Sequence, residues 1–164
     1  MRYSMMGAAL LLCLSLAACG FQLRGSGSLP PALERTQVVG LSALDPIARE
    51  LAAQLQARGA RVVDDPAQAT AVLSVARIED DKERVLSVGS DGRVREYEIT
   101  QSVRFRVDGR GNDLRLPEET LSVSRDLRFD PEGVLAADRE EQLLREAMDR
   151  ELAQMILFRM QAMR

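Results

Sequence analysis

The chain has 164 residues, a formal net charge of −3 and no histidine. A length of this order suits a single domain. The mildly acidic balance argues against a nucleic-acid-binding protein, which usually presents a basic surface.

Both cysteines, Cys13 and Cys19, lie close to the amino terminus. Cys13 falls inside an apolar leader and Cys19 is a predicted lipid-attachment residue, so neither remains for a disulfide, a metal or nucleophilic chemistry. The lack of histidine removes the commonest general base and a common metal ligand. We therefore expect a protein that is not an enzyme and that uses no metal or cofactor.

Residues 1–18 are predicted to form a cleaved signal peptide. Arg2 supplies the positive charge, and Met5–Leu16 is almost entirely apolar. This run is shorter than the roughly 20 residues that a membrane-spanning helix needs. The pattern therefore favours secretion over a permanent transmembrane anchor, and loss of Arg2 takes the net charge from −3 to −4.

The leader ends in Leu16-Ala17-Ala18-Cys19, which has the pattern of a lipobox. We predict that Cys19 becomes the lipidated first residue of the mature protein, because two or three acyl chains hold a protein stably to a bilayer. The alternative is an ordinary signal peptide cut after Ala18. The residue directly after the cysteine is Gly20. In the best-known Gram-negative lipoproteins that are retained in the inner membrane, the residue at this position is Asp. By that resemblance the expected location is the periplasmic side of the outer membrane.

Residues 19–34 are predicted to form a flexible tether rich in Gly, Ser and Pro, and 35–164 one domain. The first expected elements are a strand at Thr36–Leu41 and a helix capped by Asp45. Pro46 at the first helical position and Gly59 just beyond the end are typical of helix boundaries. A short extended piece, Ala60–Val63, comes next.

The middle of the domain is predicted to be a sheet. Ala71–Ile78 is expected to form a buried strand, Val85–Val88 further extended chain, and residues 90–92 a hairpin turn. Val94–Val107 then alternates apolar and polar residues, with Gln101 the one polar exception on its apolar face. Glu119–Phe129 alternates in the same way, which is typical of an antiparallel sheet with one solvated face.

Residues 135–163 are expected to form one long helix. Met148, Met155, Met160 and Met163 are assigned mainly to core packing, with Met160 and Met163 the ones available to a partner. The resulting order is β-α-β-β-β-α. We predict an α+β two-layer sandwich in which two helices pack on one face of a mostly antiparallel four-stranded sheet. The first strand could pair parallel with a neighbour, since a helix comes after it.

The mature start, Cys19-Gly20-Phe21-Gln22-Leu23-Arg24-Gly25, resembles the LptE family of lipopolysaccharide (LPS)-assembly lipoproteins. Two further stretches are similar: Glu96-Tyr97-Glu98 at the start of the long strand, and Arg125–Ala136 between the last strand and the last helix. The resemblance covers most of the mature chain, although its motifs are short. It implies an outer-membrane lipoprotein that sits as a plug in the β-barrel protein LptD, assists LptD assembly and binds LPS.

LPS binding would require cations near its phosphates, and arginine supplies paired donors. The candidates beside the hairpin turn are Arg93 and Arg95, for which an ordinary solvated hairpin is the alternative. The candidates at the end of the last strand are Arg125 and Arg128. Arg125 falls by alternation among apolar residues, so its alternatives are a salt bridge or a bulge that turns it outward.

Other groups receive simpler interpretations. Asp64-Asp65 and Glu79-Asp80-Asp81 could be imagined as metal or acid–base carboxylates, but solvation of turns explains them better. The competing function is a stand-alone periplasmic lipoprotein that binds another envelope ligand without a barrel partner.

Overall fold

The computed structural model describes residues 29–78, 83–111, 114–128 and 134–163. Two helices pack on one face of a six-stranded mixed sheet. The elements in chain order are β1 (Arg35–Val39), α1 (Pro46–Ala57), β2 (Arg61–Val62), β3 (Ala71–Ile78), β4 (Arg84–Val88), β5 (Val94–Gly109), β6 (Arg115–Arg128) and α2 (Val134–Gln161).

The predicted α+β sandwich is confirmed, but the sheet has six strands and not four. The sequence prediction left out the two-residue β2 and the irregular β4 as separate strands. The strand order is β2-β1-β3-β5, with β4 and β6 also paired to β5. β1 runs parallel to both β2 and β3, as the helix after it suggested, and the other pairings are antiparallel.

β5 organises the sheet because it is long enough to pair with three strands. β6 lies along nearly its whole length on one side. On the other side, β3 pairs with residues 102–109 and β4 with residues 94–98. The part of the sheet made by β4, the start of β5 and the end of β6 therefore extends beyond β1 and β3. We call this part the hairpin end.

Local sequence sets the limits of α1. The Asp45 carboxylate accepts a hydrogen bond from Ile47 N (2.8 Å), and Pro46 needs no partner at the first position. Gly59 adopts a positive φ of 85° just after the helix, as its predicted capping role requires. Ile47 and Leu51 point into the core.

β6 begins at Arg115, four residues before the predicted start at Glu119. Pro117 has no N–H group to donate to a neighbouring strand, so the residues before Glu119 did not indicate a strand. The structure accommodates it on an edge strand at a register shift, opposite the β5 segment between Phe105 and Val107.

The core lies between the inner face of the sheet and the two helices, with large members such as Phe105, Leu73 and Leu152 fully buried. Core packing of the methionines is confirmed for Met148. Met160 and Met163 are also buried, at 0% and 8% exposure, so the prediction that these two are available to a partner is wrong. The reason is that Met160 in the last turn of α2, and Met163 just beyond the helix, both belong to the core cluster.

The outer face of the β5–β6 pair is polar. Thr100 pairs with Ser124 and Ser102 with Ser122, each through hydroxyl oxygens 2.8 Å apart. The predicted alternation of β5 is thus confirmed on both faces.

Candidate functional site

The β4–β5 turn is a tight loop at the hairpin end. Gly89 N donates to Arg93 O (2.8 Å), and Gly92 has a φ of 76°. Asp91 accepts from Arg93 N (3.2 Å) through its carboxylate. The hairpin turn predicted at residues 90–92 is confirmed, and it fixes where the next arginines emerge.

Arg93 and Arg95, which follow this turn, differ in their ion pairing. Arg95 forms an ion pair with Asp91, with 2.9 Å between Nη2 and Oδ2. Arg93 is exposed and has no ion pair within the described ranges. Arg93 is therefore the more available cation for an external anion.

Arg128 reaches the same end of the sheet from β6. It pairs opposite Glu96 in register, and its Nε lies 3.0 Å from the Glu96 carboxylate, while 89% of its side chain is exposed. Arg84 of β4 makes a longer contact of 3.4 Å with Glu98. The hairpin end thus carries four arginines, three of them with loose or exposed carboxylate partners.

Arg125 is placed differently from the other predicted cations. It lies opposite Ile99, three positions further from the turn than Arg128, and on the face that packs against α2. Its guanidinium pairs with Glu151 of α2 and donates to Ser124 O (2.8 Å). Of the alternatives weighed from the sequence, the salt bridge is the one that the structure shows, with 44% of the side chain exposed.

Near the arginines, β4 carries exposed apolar residues that the sequence pattern did not distinguish, with Val85 opposite Tyr97 on the inner face and Val88 opposite Val94 on the outer face. Val85, Leu86 and Val88 of β4 are 52%, 38% and 56% exposed. β4 pairs only with β5, so its second edge is open within the described residues. Exposure results from position at a sheet edge, which the apolar pattern of the sequence does not reveal.

A second unpredicted feature is an ion cluster under the helices, centred on Arg77 of β3. Its Nε and Nη2 lie 2.8 and 2.9 Å from the Asp45 carboxylate at the start of α1. Its Nη1 and Nη2 also contact Asp149 of α2, at 3.0 and 3.1 Å. One guanidinium therefore joins both helices to the sheet with two bidentate contacts.

The electrostatics of this cluster result from its partial burial. Burial alone raises the pKa of Asp45, but hydrogen bonds from Arg77 and from Ile47 N outweigh it and leave the pKa below its usual 3.8. Burial lowers the pKa of Arg77, and its contacts with Asp45 and Asp149 reverse this and raise it overall. Asp45 and Arg77 are therefore both ionised at neutral pH.

Gln101, the polar exception on the inner face of β5, belongs to the same network. With its amide oriented to satisfy both ends, its nitrogen donates to Asp149 Oδ1 (3.3 Å) and to Arg145 O (3.2 Å). Alternation along the strands could have identified both Gln101 and Arg77, because each occupies an inward position. Arg77 follows Leu73 and Val75 on the inner face of β3. An inward arginine in a buried strand requires a partner.

Of the carboxylates considered for metal chemistry, Asp65 has a structural role. Asp65 accepts from Ala67 N (2.9 Å) and caps the Pro66–Gln68 turn, whereas Glu79-Asp80-Asp81 lies outside the described residues. In the described ranges no group of three or more potential ligands is arranged to hold a metal. Nor does any helix there have the length and apolar character to cross a bilayer. Cys19 lies outside the described residues.

Comparison with known proteins places these features in a family. The chain is 29% identical over 144 residues to the LPS-assembly lipoprotein LptE of Photorhabdus laumondii, covering 86% of this chain and 76% of that protein. Two solved structures share the fold, each with a TM-score of 0.63. They are lipoprotein B of Nitrosomonas europaea (28% identity, 84% of this chain and 88% of that one) and rare lipoprotein B of Shewanella oneidensis (25%, 77% and 92%).

A family model described as "LptE: Lipopolysaccharide-assembly" matches residues 36–160, which include all of the six strands and two helices except the first residue of β1 and the last residue of α2. This range includes the hairpin end and the Arg77 cluster. The family is one of LPS-assembly lipoproteins, a role that involves no catalysis. The chain therefore belongs to the LptE family.

Proposed function

We propose that this protein binds LPS at its hairpin end and helps to place LPS in the outer leaflet of the outer membrane. The observation that carries the proposal is that one end of the sheet holds Arg93, Arg95 and Arg128 together with the exposed apolar residues Val85, Leu86 and Val88 of β4. LPS presents phosphate groups beside acyl chains, so a surface with arginine and aliphatic side chains together matches both parts. Family membership supports the same assignment.

Arginine suits this task because its planar fork binds phosphate through two parallel hydrogen bonds and stays charged at any cellular pH. Arg93 can do so directly, since it has no competing carboxylate in the described ranges. Arg95, Arg125 and Arg128 would exchange or share their present partners, Asp91, Glu151 and Glu96. Arg93 and Arg128 should therefore contribute most, and Arg125 least.

The partner in this proposal is the β-barrel protein LptD, whose lumen the domain would occupy as a plug and whose assembly it would assist. The polar outer face of the β5–β6 pair, with the hydroxyl pairs Thr100–Ser124 and Ser102–Ser122, supports contact with a hydrated protein wall more than with lipid tails. We further propose that Cys19 carries the lipid that holds the protein to the periplasmic side of the outer membrane.

LPS binding tests the proposal directly. Arg93→Glu/Arg128→Glu should weaken binding of purified LPS about a hundredfold, because each arginine supplies a charge-assisted contact of roughly 1.5 kcal/mol, which is about tenfold in affinity, and the two losses add. Arg49→Glu/Arg150→Glu on the helices is the matched control, with the same change in charge. Unchanged affinity in the folded hairpin variant, or an equal loss in the control, would refute a specific site.

Arg125 needs a variant that keeps its ion pair. The exchange Arg125→Glu/Glu151→Arg reverses the local arrangement and preserves net charge and pairing. We expect LPS affinity to fall by less than in the Arg93/Arg128 variant, because this guanidinium is already bound to Glu151.

A further inference from the structure

At the opposite end of the sheet from the hairpin lie three exposed arginines, two of which hold one short turn. Arg35 begins β1, Arg61 begins β2 and Arg110 comes directly after β5. Arg35 Nε donates to Gln68 O (2.7 Å), and Arg110 Nη1 donates to Pro66 O (2.8 Å). We call these three residues and the turn the Arg35 cluster.

The pairing of β1 with β2 places two of these arginines side by side. Arg35 and Arg61 are register partners on neighbouring parallel strands, a position in which like charges repel. Within the described ranges neither they nor Arg110 forms an ion pair. The nearby Asp65 carboxylate is engaged with Ala67 N and with Gln68 Nε2, at 2.9 and 3.2 Å. The donors left unused on the guanidiniums therefore face outward.

This end is also where the chain enters the domain. Leu29 packs against the core and Leu33 is fully buried, so the chain is fixed to the domain from there on. Between the proposed anchor Cys19 and Leu29 lie only ten peptide links, which span at most about 35 Å. The Arg35 cluster consequently stays within reach of the membrane surface that holds the lipid.

We propose that the Arg35 cluster binds the phosphates of anionic lipid headgroups in the membrane to which the protein is anchored. Arginines beside a lipid anchor act as a second membrane signal. They would orient the domain with this end against the headgroups and the hairpin end away from them. The inference rests on the proposed anchoring at Cys19 but is independent of LPS binding.

The test uses the full mature chain carrying Cys19→Ala, so that the lipid does not dominate binding. It should co-sediment with vesicles of phosphatidylcholine containing one-quarter phosphatidylglycerol, and Arg35→Gln/Arg61→Gln/Arg110→Gln should weaken this binding at least fivefold. The matched control is Arg49→Gln/Arg139→Gln/Arg150→Gln, which removes as many charges from exposed helix positions outside both proposed sites and should bind as before.

Since Arg35 and Arg110 also hold the Pro66–Gln68 turn, Arg61→Glu serves as a second variant that leaves those bonds intact, and it should weaken binding at least twofold. Equal binding by all variants, or equal binding to pure phosphatidylcholine vesicles, would overturn the proposal. So would calorimetric binding of inorganic phosphate without any vesicle binding. The vesicles contain neither LPS nor barrel protein, so failure here leaves the LPS proposal standing, and the reverse also holds.

Discussion

Arg77 makes the most consequential single-residue contacts in the described part of the chain. Only 7% of the Asp149 side chain is exposed, so this carboxylate depends on Arg77 for compensation of its charge. Breaking a buried ion pair from one side is costly, whereas replacing both partners by apolar groups is often neutral. Substitution of Arg77 therefore tests whether packing alone holds the two helices on the sheet.

We expect Arg77→Met to lower the free energy of unfolding by about 3 kcal/mol, because it strands the buried Asp149 charge. Arg77→Met/Asp149→Leu should recover at least half of that loss. Urea denaturation of the two variants measures the difference. A double variant less stable than the single one would show that the cluster contributes net stability.

The same cluster predicts a dependence on pH. The pKa of Asp45 is lowered in the folded state, so its contribution is complete above the unfolded value near 3.8 and is lost as the pH falls through the folded value. Asp45→Asn keeps the helix cap and removes only the charge. The stability difference between the parent and this variant should be largest at pH 7 and shrink below about pH 4. A difference that stays constant down to pH 3 would contradict this assignment.

Among the secondary-structure elements, β1 depends on the glycine directly after it. Gly40 has a φ of 95°, and a Cβ there would lie 2.3 Å from Val75 O of β3. Glycine at this position lets the chain turn away from the sheet immediately after the strand. The approach of Gly40 to β3 therefore secures the parallel pairing that brings α1 over the core.

Gly40→Ala should destabilise the protein by about 2 kcal/mol, since it combines an unfavourable φ with a clash against backbone. Gly59→Ala is the matched control: its φ of 85° is similar, but nothing lies within 4 Å of the added carbon. It should cost about 1 kcal/mol. Thermal unfolding distinguishes the two, and equal losses would mean that the clash with Val75 is relieved at no cost.

The elements themselves were largely predictable, because their signals are local. The signals that predicted these elements were the caps Asp45 and Gly59 of α1, the alternation in β5 and the apolar run of β3. Each depends on only a few neighbouring residues. The features that could not be predicted depend on contacts between distant segments. The identity of Glu151 as the partner of Arg125, the identity of Asp45 and Asp149 as the partners of Arg77, and the exposure of Val85 all result from how strands and helices are arranged around one another.

The hairpin arginines show the same division. Their proximity to one another results from the turn and from the β5–β6 register, of which only the turn was visible in the sequence. Arg84 was missed because an isolated arginine at a strand start has no distinguishing pattern until its position beside Glu98 is known.

For the whole molecule, partner identity is the decisive question. A tagged chain extracted in detergent from its native cells should co-purify with one large β-barrel protein, identified by mass spectrometry, because the proposed plug is enclosed by that barrel. Cys19→Ala should leave the protein soluble in the periplasm. Recovery of the tagged chain without any barrel protein would instead favour a stand-alone envelope lipoprotein.

The length of β5 gives the proposed orientation a physical consequence. Its 16 residues run from the hairpin turn to the residue before Arg110, and at about 3.3 Å per residue they extend roughly 50 Å. A bilayer with its headgroups is about 40–45 Å thick. A domain anchored by one end at the inner leaflet and enclosed by a barrel would therefore present Arg93 at the level of the outer leaflet. In that orientation β5 alone extends across the whole bilayer thickness that LPS would have to cross.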